Sequence, residues 1–199
     1  MTPMPVTDIE PIAAQVGGRR RIAPWIAAAV LAVLAGFFVV LALASPDDGT
    51  AAESPLLGEV APDAVGELDD GSVFDISRRK GSWVVLNFFR ADCVPCIEEH
   101  PELISFVDQQ RQLGRGGAEF YSVVVDDTRE DVEAFFDTRG GDWPVVYSDN
   151  DSFSVAFGVA AVPETWIIDP TGIVRVRYVG KITAENLSVT MQQLREATS

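Results

Sequence analysis

Beyond its first third, the chain alternates between strand-like and helix-like patterns of hydrophobic and polar positions. Residues 83–89 and 119–125 are nearly continuous apolar runs, which are typical of strands buried on both faces. Between them, residues 94–113 carry apolar side chains at broadly helical spacing, and Gly114 marks the end of that predicted helix. Residues 129–138 predict a second, shorter helix with an apolar face.

The C-terminal third has a different order of elements. Residues 164–168 and 173–178 predict two strands joined by an Asp-Pro-Thr-Gly turn, which is a hairpin signal, and residues 183–196 predict a final helix. A further hairpin is predicted over 66–76. A β-α-β half followed by a β-β-α half predicts an α/β domain over residues 58–199, with a mixed central sheet flanked by helices.

A separate apolar segment precedes this domain. Residues 22–44 include no charged side chain, and at about 1.5 Å per residue a helix of this length crosses the roughly 30 Å hydrocarbon core of a bilayer. Arginines at positions 19, 20 and 21 precede it, and basic residues stay on the cytoplasmic side. We therefore expect residues 1–21 in the cytoplasm, a single transmembrane anchor over 22–44, a linker over 45–57 and an extracytoplasmic domain.

A cleaved signal peptide is the alternative for the same segment. Ala42, Leu43 and Ala44 resemble a small-residue cleavage site. The apolar region of a signal peptide is usually about 7–15 residues, shorter than this one, so the length favours an uncleaved anchor.

The formal net charge of −15 narrows the choice of partners. A domain this acidic repels nucleic acid and anionic lipid, so we expect neither as a partner.

The two cysteines of the chain lie in one Cys-Val-Pro-Cys motif, Cys93 to Cys96. A disulfide closing so short a loop removes little chain entropy, so its purpose is predicted to be chemical. The motif follows a predicted buried strand and opens a predicted helix, whose free N–H groups and positive dipole end favour a thiolate at Cys93. Cys93 is therefore expected to be the more exposed thiol and to attack, Cys96 to resolve the mixed disulfide, and Pro95 to stiffen the loop.

Half of a metal site is the alternative for this pair. A tetrahedral zinc site needs four ligands, but the chain has only these two cysteines and one histidine, His100. Redox chemistry is therefore favoured, with no metal and no cofactor.

Two segments carry a resemblance to known proteins. Residues 84–103, with the motif Asn-Phe-Phe-Arg-Ala-Asp-Cys-Val-Pro-Cys, resemble the active-site segment of membrane-tethered thioredoxin-like proteins, the ResA, CcmG/DsbE and TlpA families of cytochrome c maturation. Residues 158–169, followed by Gly172, resemble the Gly-Val-x-x-x-Pro-Glu-Thr-Phe-Leu-Ile-Asp segment of these families. The resemblance spans roughly residues 58–196 and implies a thioredoxin-like fold with an N-terminal hairpin extension.

The resemblance also assigns residues to the site. It implies that Val162-Pro163 is a cis peptide facing the cysteines, whose backbone meets an extended thiol substrate. It gives Glu99 and Glu164 active-site roles as carboxylates that tune the thiol pKa values. Asn87 stands where ordinary thioredoxins carry a buried aspartate, so proton transfer must involve other groups.

The chain departs from these families at Asp92, where they usually carry Trp before the first cysteine. A neighbouring negative charge disfavours the Cys93 thiolate and is expected to raise its pKa. The alternative role of Asp92 is that of an exposed helix cap, which suits aspartate and is compatible with the first.

Several other side chains are expected to be structural. We expect His100 to be a helix-surface residue before Pro101, which itself should kink or interrupt the helix. Trp83 is expected to pack under the N-terminal hairpin, and Trp143, Trp166 and Phe153 to lie in the core or a groove wall.

The predicted function is that of a tethered reductant of protein disulfides outside the membrane, with apocytochrome c as an example of a substrate. An unidentified membrane thiol-electron donor would recharge the dithiol. An extracytoplasmic disulfide oxidase or isomerase is the alternative enzyme, and a copper-binding assembly factor is the non-enzymatic alternative. The carboxylates Asp92, Glu99 and Glu164 favour the reductant, since strong oxidants stabilise the reduced thiolate.

Overall fold

The computed structural model describes residues 23–43 and 49–198, with side chains described over 24–38 in the first of these ranges. The predicted cytoplasmic segment 1–21, the two end residues of the predicted anchor and linker residues 45–48 lie outside the described part. The chain divides into two units, residues 1–45 and residues 46–199, which are described separately.

The described part of the first unit is the helix α1, Ala23–Leu43. Its described side chains are apolar and exposed, Trp25 among them. Among the residues that the structure describes, no helix combines the length and hydropathy needed to cross a bilayer. The anchor over 22–44 therefore stays a prediction.

The second unit is built on one sheet of eight strands in the order β1-β8-β7-β4-β5-β6-β2-β3. Only the pairs β4–β5 and β5–β6 are parallel, so the sheet is mixed, as predicted. The strands are β1 Thr50–Ala51, β2 Val65–Leu68, β3 Val73–Asp75, β4 Val84–Phe89, β5 Glu119–Val124, β6 Val145–Tyr147, β7 Glu164–Ile168 and β8 Val174–Val179. The helices are α2 Val94–Gln112, α3 Arg129–Arg139, α4 Ser152–Phe157 and α5 Ala184–Thr198.

Strand β4 lies in the middle of the sheet and is buried along its whole length. Val84, Leu86 and Phe88 point to one face, and the residues between them point to the other, because side chains alternate along a strand. In the parallel pair β4–β5, Phe89 lies opposite Val124. The residues that follow these two strands therefore meet at one edge of the sheet, where the cysteine motif begins.

Each face of the sheet is covered by its own hydrophobic cluster. Phe74 of the N-terminal hairpin, Phe153 and Phe157 of α4, and Trp166 pack on one face. Residues of α2 and α5 cover the other face together with Trp143: Leu103, Phe106, Leu187 and Met191. Burying a side chain of this size contributes roughly 1.5–3 kcal/mol, so both layers hold the sheet firmly. The expected core positions of Trp143, Trp166 and Phe153 are confirmed.

The structure adds elements that the sequence patterns do not predict. Strand β6, strand β1 and helix α4 are too short to establish a period, and β1 lies in the segment predicted as linker. Trp83 packs with the α2 and α5 cluster, so its predicted place under the N-terminal hairpin is wrong. One helix, α2, continues through Pro101, which removes a backbone donor without ending the helix.

Candidate active site

The Cys93–Cys96 pair lies where β4 leads into α2, and its two sulfurs form a disulfide with the Cα atoms 5.2 Å apart. Cys93 is the N-cap residue of α2, and its Sγ accepts a hydrogen bond of 3.2 Å from the backbone N–H of Cys96. Pro95 occupies the first turn, where a helix needs no N–H from it. A backbone N–H that has no partner within the helix thus points at Sγ of Cys93, the sulfur that would carry the negative charge in the reduced protein.

The two cysteines differ in solvent exposure. Cys93 is 8% exposed and Cys96 is 2% exposed, so the prediction that Cys93 is the more accessible thiol is confirmed. Val94 and Pro95 beside it are exposed, which leaves the Cys93 side of the pair open to a partner.

The loop before β7 faces this pair. The Val162-Pro163 bond is cis, as predicted, and the Val162 carbonyl oxygen lies 3.7 Å from Sγ of Cys93. A groove of about 620 Å³ runs between the cysteine motif and residues 159–162. An extended peptide entering this groove with its sulfur at Cys93 would therefore meet the backbone of Val162.

The helix that begins at the cysteine motif also carries a buried carboxylate. Glu99, three residues after Cys96 and so on the same face of α2, is 2% exposed. Its Oε1 accepts a hydrogen bond from Nδ2 of Asn87 (2.8 Å), and its Oε2 accepts one from the N–H of Ile182 (3.1 Å). Burial raises the pKa of Glu99 to about 7, and these two hydrogen bonds oppose that rise. Glu99 can therefore hold or release a proton near neutral pH.

Glu164 lies on the other face of the sheet. Thr165 faces Asn87 and α2, so its neighbour Glu164 points the opposite way, because side chains alternate along β7. The Glu164 carboxylate accepts hydrogen bonds from Nη2 (2.8 Å) and Nε (2.9 Å) of Arg177, and one of 3.2 Å from Nε1 of Trp166. The structure therefore does not bring this carboxylate to the α2 side where Glu99 lies, and its role in tuning the thiols stays a prediction.

The contacts of Glu164 give it a second role. Its Oε1 also accepts a hydrogen bond of 3.4 Å from the N–H of Ala160, in the loop that carries Val162. Arg177 in turn donates to the carbonyl of Glu53 at 3.2 Å. Glu164 thus fixes the loop on which the substrate backbone would lie.

Asp92 is exposed and forms an ion pair with Arg90. Cys93, not Asp92, is the N-cap of α2, so the expected capping role of Asp92 is wrong. The side chain reaches back to Arg90 instead, and this pairing raises the pKa of the Arg90 guanidinium. Asp92 still precedes the nucleophile directly, so its predicted influence on Cys93 stays a prediction.

Three further residues, Arg90, Asp126 and Asp127, join this edge of the site and were not predicted. Arg90 follows β4 directly, and one of its guanidinium nitrogens lies 3.8 Å from a carboxylate oxygen of Asp126, which follows β5. Asp127 accepts a hydrogen bond of 2.6 Å from the N–H of Ala91 and holds the loop before the cysteines. The sequence does hold a signal for them, because residues just past two adjacent parallel strands lie at one edge of a sheet.

His100 is buried, so its predicted place on the helix surface is wrong. It lies on the same buried face of α2 as Cys96 and Leu103, and its Nε2 is 2.9 Å from the carbonyl oxygen of Gly140. Burial lowers the pKa of His100. Its ring packs against that of Phe135.

Glu98, by contrast, is exposed and pairs with Lys181 at 2.9 Å. Over the described residues, no group of three or more His, Cys, Asp or Glu side chains is arranged to hold a metal ion.

The sequence matches the redoxin family over residues 56–194. This chain belongs to the redoxin family. It is 28% identical over 169 residues to the thiol:disulfide interchange protein DsbE of Vibrio cholerae, covering 82% of this chain and 88% of that protein. It is 30% identical to the thiol-disulfide oxidoreductase ResA of Geobacillus thermodenitrificans, covering 70% and 78% of the two chains.

Solved structures confirm the fold of this redoxin. The thioredoxin domain of a thiol-disulfide oxidoreductase from Bacteroides vulgatus superimposes with a TM-score of 0.61 at 22% identity, covering 71% of this chain and 99% of that one. The thioredoxin-like fold predicted from the sequence is confirmed. With the Cys93–Cys96 pair and its curated relatives, the protein is a thiol–disulfide oxidoreductase of the DsbE and ResA type.

The raised pKa of Glu99 predicts a pH dependence of stability. The unfolded chain releases this proton near pH 4.5, whereas the folded protein keeps it to about pH 7. The folded state thus binds more protons in this interval, and its stability falls as the pH rises from about 4.5 to about 7. At about 1.4 kcal/mol per unit of pKa, the loss is on the order of 3 kcal/mol.

Urea unfolding of the oxidised protein at several pH values measures this slope. We expect Glu99→Gln to flatten it relative to the wild type, whatever its effect on stability at low pH. Glu98→Gln, a change on the exposed side of the same helix, serves as the control and should keep the wild-type slope. Equal slopes in E99Q and the wild type would contradict the assignment.

The ion pair beside Cys93 predicts opposite effects from its two partners. Asp92→Asn removes a negative charge next to the nucleophile and should lower the pKa of Cys93, whereas Arg90→Gln should raise it. Both side chains are partly in water, so each shift should be smaller than about one pH unit. Thiolate absorbance of the reduced protein against pH measures both, with Asp108→Asn, far along α2, as the charge control. Shifts of the same sign in D92N and R90Q would refute this prediction.

Proposed function

We propose that this protein is a membrane-anchored, extracytoplasmic reductant of protein disulfides, with apocytochrome c in cytochrome c biogenesis as its substrate class. The observation that carries the direction of the reaction is the buried Glu99, whose pKa is raised to about 7. A carboxylate at this place disfavours further negative charge on nearby sulfurs, so the reduced dithiol keeps its protons. Strong oxidants do the reverse and stabilise the reduced thiolate, so this arrangement supports a reductant.

The reaction begins with the reduced dithiol. The Cys93 thiolate attacks one sulfur of a substrate disulfide, forms a mixed disulfide with it and releases the other substrate sulfur as a thiolate, which takes a proton. Cys96 then gives up its proton, with Glu99 as the nearby acceptor, and its thiolate attacks Sγ of Cys93. The second substrate sulfur leaves as a thiolate and is protonated in turn.

Two electrons thereby pass from the protein to the substrate, and the Cys93–Cys96 disulfide remains. This is the state that the structure holds. A further cycle needs a membrane thiol-electron donor to reduce that disulfide again. The groove beside Val162 supports protein substrates, because it is open and about 620 Å³ in volume.

The substrate class follows from the resemblance to the ResA and CcmG/DsbE proteins of cytochrome c maturation. The two curated relatives carry the names DsbE and ResA and support that placement.

The proposed location rests on the N-terminal segment. Residues 22–44 are uncharged and follow three consecutive arginines, the pattern of an anchor whose N-terminus stays in the cytoplasm. A disulfide also persists more readily outside the cytoplasm.

One observation favours an oxidase instead. The N–H of Cys96 donates to Sγ of Cys93, and a hydrogen bond to this sulfur favours its thiolate and hence the reduced enzyme. The hydrogen bond from the N–H of Cys96 and the carboxylate of Glu99 therefore have opposite effects on the reduction potential.

The reduction potential of the full chain tests the direction of the reaction. We expect a reduction potential of about −270 mV or lower, as in thioredoxin. It is measured by equilibrating the protein with dithiothreitol buffers and labelling the free thiols. Cys93→Ser, which cannot form the disulfide, is the control. A value near about −120 mV would establish an oxidant and contradict the proposed reductant.

The topology has its own test. Alkaline phosphatase fused after residue 48 should be active in intact cells, because that enzyme needs the disulfides that form outside the cytoplasm. The matched fusion after residue 21 should be inactive. Equal activities of the two fusions would contradict the proposed anchor.

A further inference from the structure

The groove beside the dithiol has one charged wall that the proposed chemistry does not use. Asp92 and Asp126 line it together with Arg90. The two carboxylate side chains are 75% and 83% exposed, whereas that of Arg90 is 39% exposed. We call Asp92 and Asp126 the acidic rim.

Arg90 does not neutralise the acidic rim. It carries one positive charge, which forms an ion pair with Asp92 and lies 3.8 Å from Asp126. The three groups together retain a net negative charge. A neighbouring cavity of about 630 Å³ shares all three and adds Asp127, Asp131 and Arg139, so the excess of negative charge continues beyond the groove.

The opposite wall of the groove has no charge. It is formed by residues 159–162, whose side chains are those of valine and alanine, and Val94 completes the lining on the cysteine side. Val94 is 62% exposed. A chain lying along the Val162 backbone would thus meet apolar groups on one side and carboxylates on the other.

Asp126 is fixed in place although its side chain is exposed. Its backbone has a φ of 49°, and its N–H donates to Oδ1 of Asp151 at 3.0 Å. The carboxylate is thereby presented at the end of β5, next to the path to Cys93. Asparagine tolerates this left-handed conformation well, so Asp126→Asn removes the charge with little change of backbone.

We propose that the acidic rim selects disulfide substrates with lysine or arginine next to the reacting cysteine. The selection rests on the dithiol exchange of the proposed function and names its substrate class more closely: cationic protein segments. A lysine or arginine at that position meets two exposed carboxylates, while an aspartate or glutamate meets the same two groups and is repelled. Arg90 attracts acidic substrates weakly, because its charge is already paired and its side chain is less exposed.

Three synthetic peptides test this selection. Each has a single cysteine, is prepared as a disulfide-linked homodimer, and differs from the others only in the residues flanking the cysteine, which are Lys, Gln or Glu. The full chain is reduced, purified in a nonionic detergent and mixed with each peptide. Rates of dithiol oxidation are followed by rapid quenching and thiol labelling.

At an ionic strength of about 10 mM, where charges act over about 30 Å, the Lys peptide should react faster than the Glu peptide. We expect a ratio of about fivefold, as for one exposed ion pair. The ratio should approach one at about 1 M salt, where screening shortens that range to about 3 Å. The Gln peptide provides the reference rate.

Variants assign the effect to the acidic rim. Asp126→Asn should reduce the Lys-to-Glu rate ratio to about half or less, and D92N should act in the same direction. We compare the Lys-to-Glu rate ratio of each variant rather than its rates, because a changed pKa of Cys93 alters the rates with all three peptides alike. Asp108→Asn removes the same charge far along α2 and should keep the wild-type ratio.

The possible outcomes separate this inference from the proposed function. If all three peptides are reduced at equal rates, or if D126N and D108N have the same ratio, the selection by charge is wrong while the reductant stands. A faster reaction with the Glu peptide would mean that the charge of Arg90, and not that of the acidic rim, determines which substrate binds. That result would also overturn the inference. If no peptide is reduced at all, the proposed function itself fails.

Discussion

The buried carboxylate of Glu99 joins three parts of the domain. It accepts hydrogen bonds from Asn87 of β4 and from the N–H of Ile182, just before α5, and Asn87 also donates to Thr165 of β7 at 3.2 Å. Burying a polar group without partners costs several kcal/mol, and these contacts offset that cost for Glu99 and Asn87. They fix the position of α2 against the sheet, and with it the position of Cys93 at the helix end.

The two buried carboxylates, Glu99 and Glu164, lie on opposite faces of the sheet and have different partners. Glu99, on the α2 face, has a pKa raised to about 7 because the effect of burial exceeds that of its two hydrogen bonds and of the positive charge of Lys181. Glu164, on the other face, is paired with Arg177 through two hydrogen bonds. One carboxylate is thus available for proton transfer, while the other holds the loop that presents Val162. Because side chains alternate along β7, Glu164 lies on the face of the sheet opposite to α2.

Much of this architecture could be predicted from the sequence, because long apolar runs and helical spacing carry strong signals. The strands β4 and β5 and the helix α2 lie within one or two residues of their predicted bounds. The short elements β6 and α4 could not be predicted, since three to six residues define no period. His100 was placed wrongly because its polarity outweighed its position on the buried face of α2. Arg90 and Asp126 follow two predicted strands, but their proximity also requires that these strands be adjacent and parallel, which the spacing along the chain does not specify.

Charges in this site act on different steps according to their contact with water. Glu99 is almost fully buried, where the effective dielectric constant is low, so its protonation state acts strongly on groups a few ångströms away. Asp92 and Asp126 extend into solvent, where their fields are screened within about 8 Å at physiological salt. In the proposed function the buried group acts on the protonation of the sulfurs, and in our further inference the exposed groups select the chain that approaches them. Substitutions at the ends of β4 and β5 would then change the proposed substrate preference while leaving the hydrogen bonds of Glu99 to Asn87 and Ile182 in place.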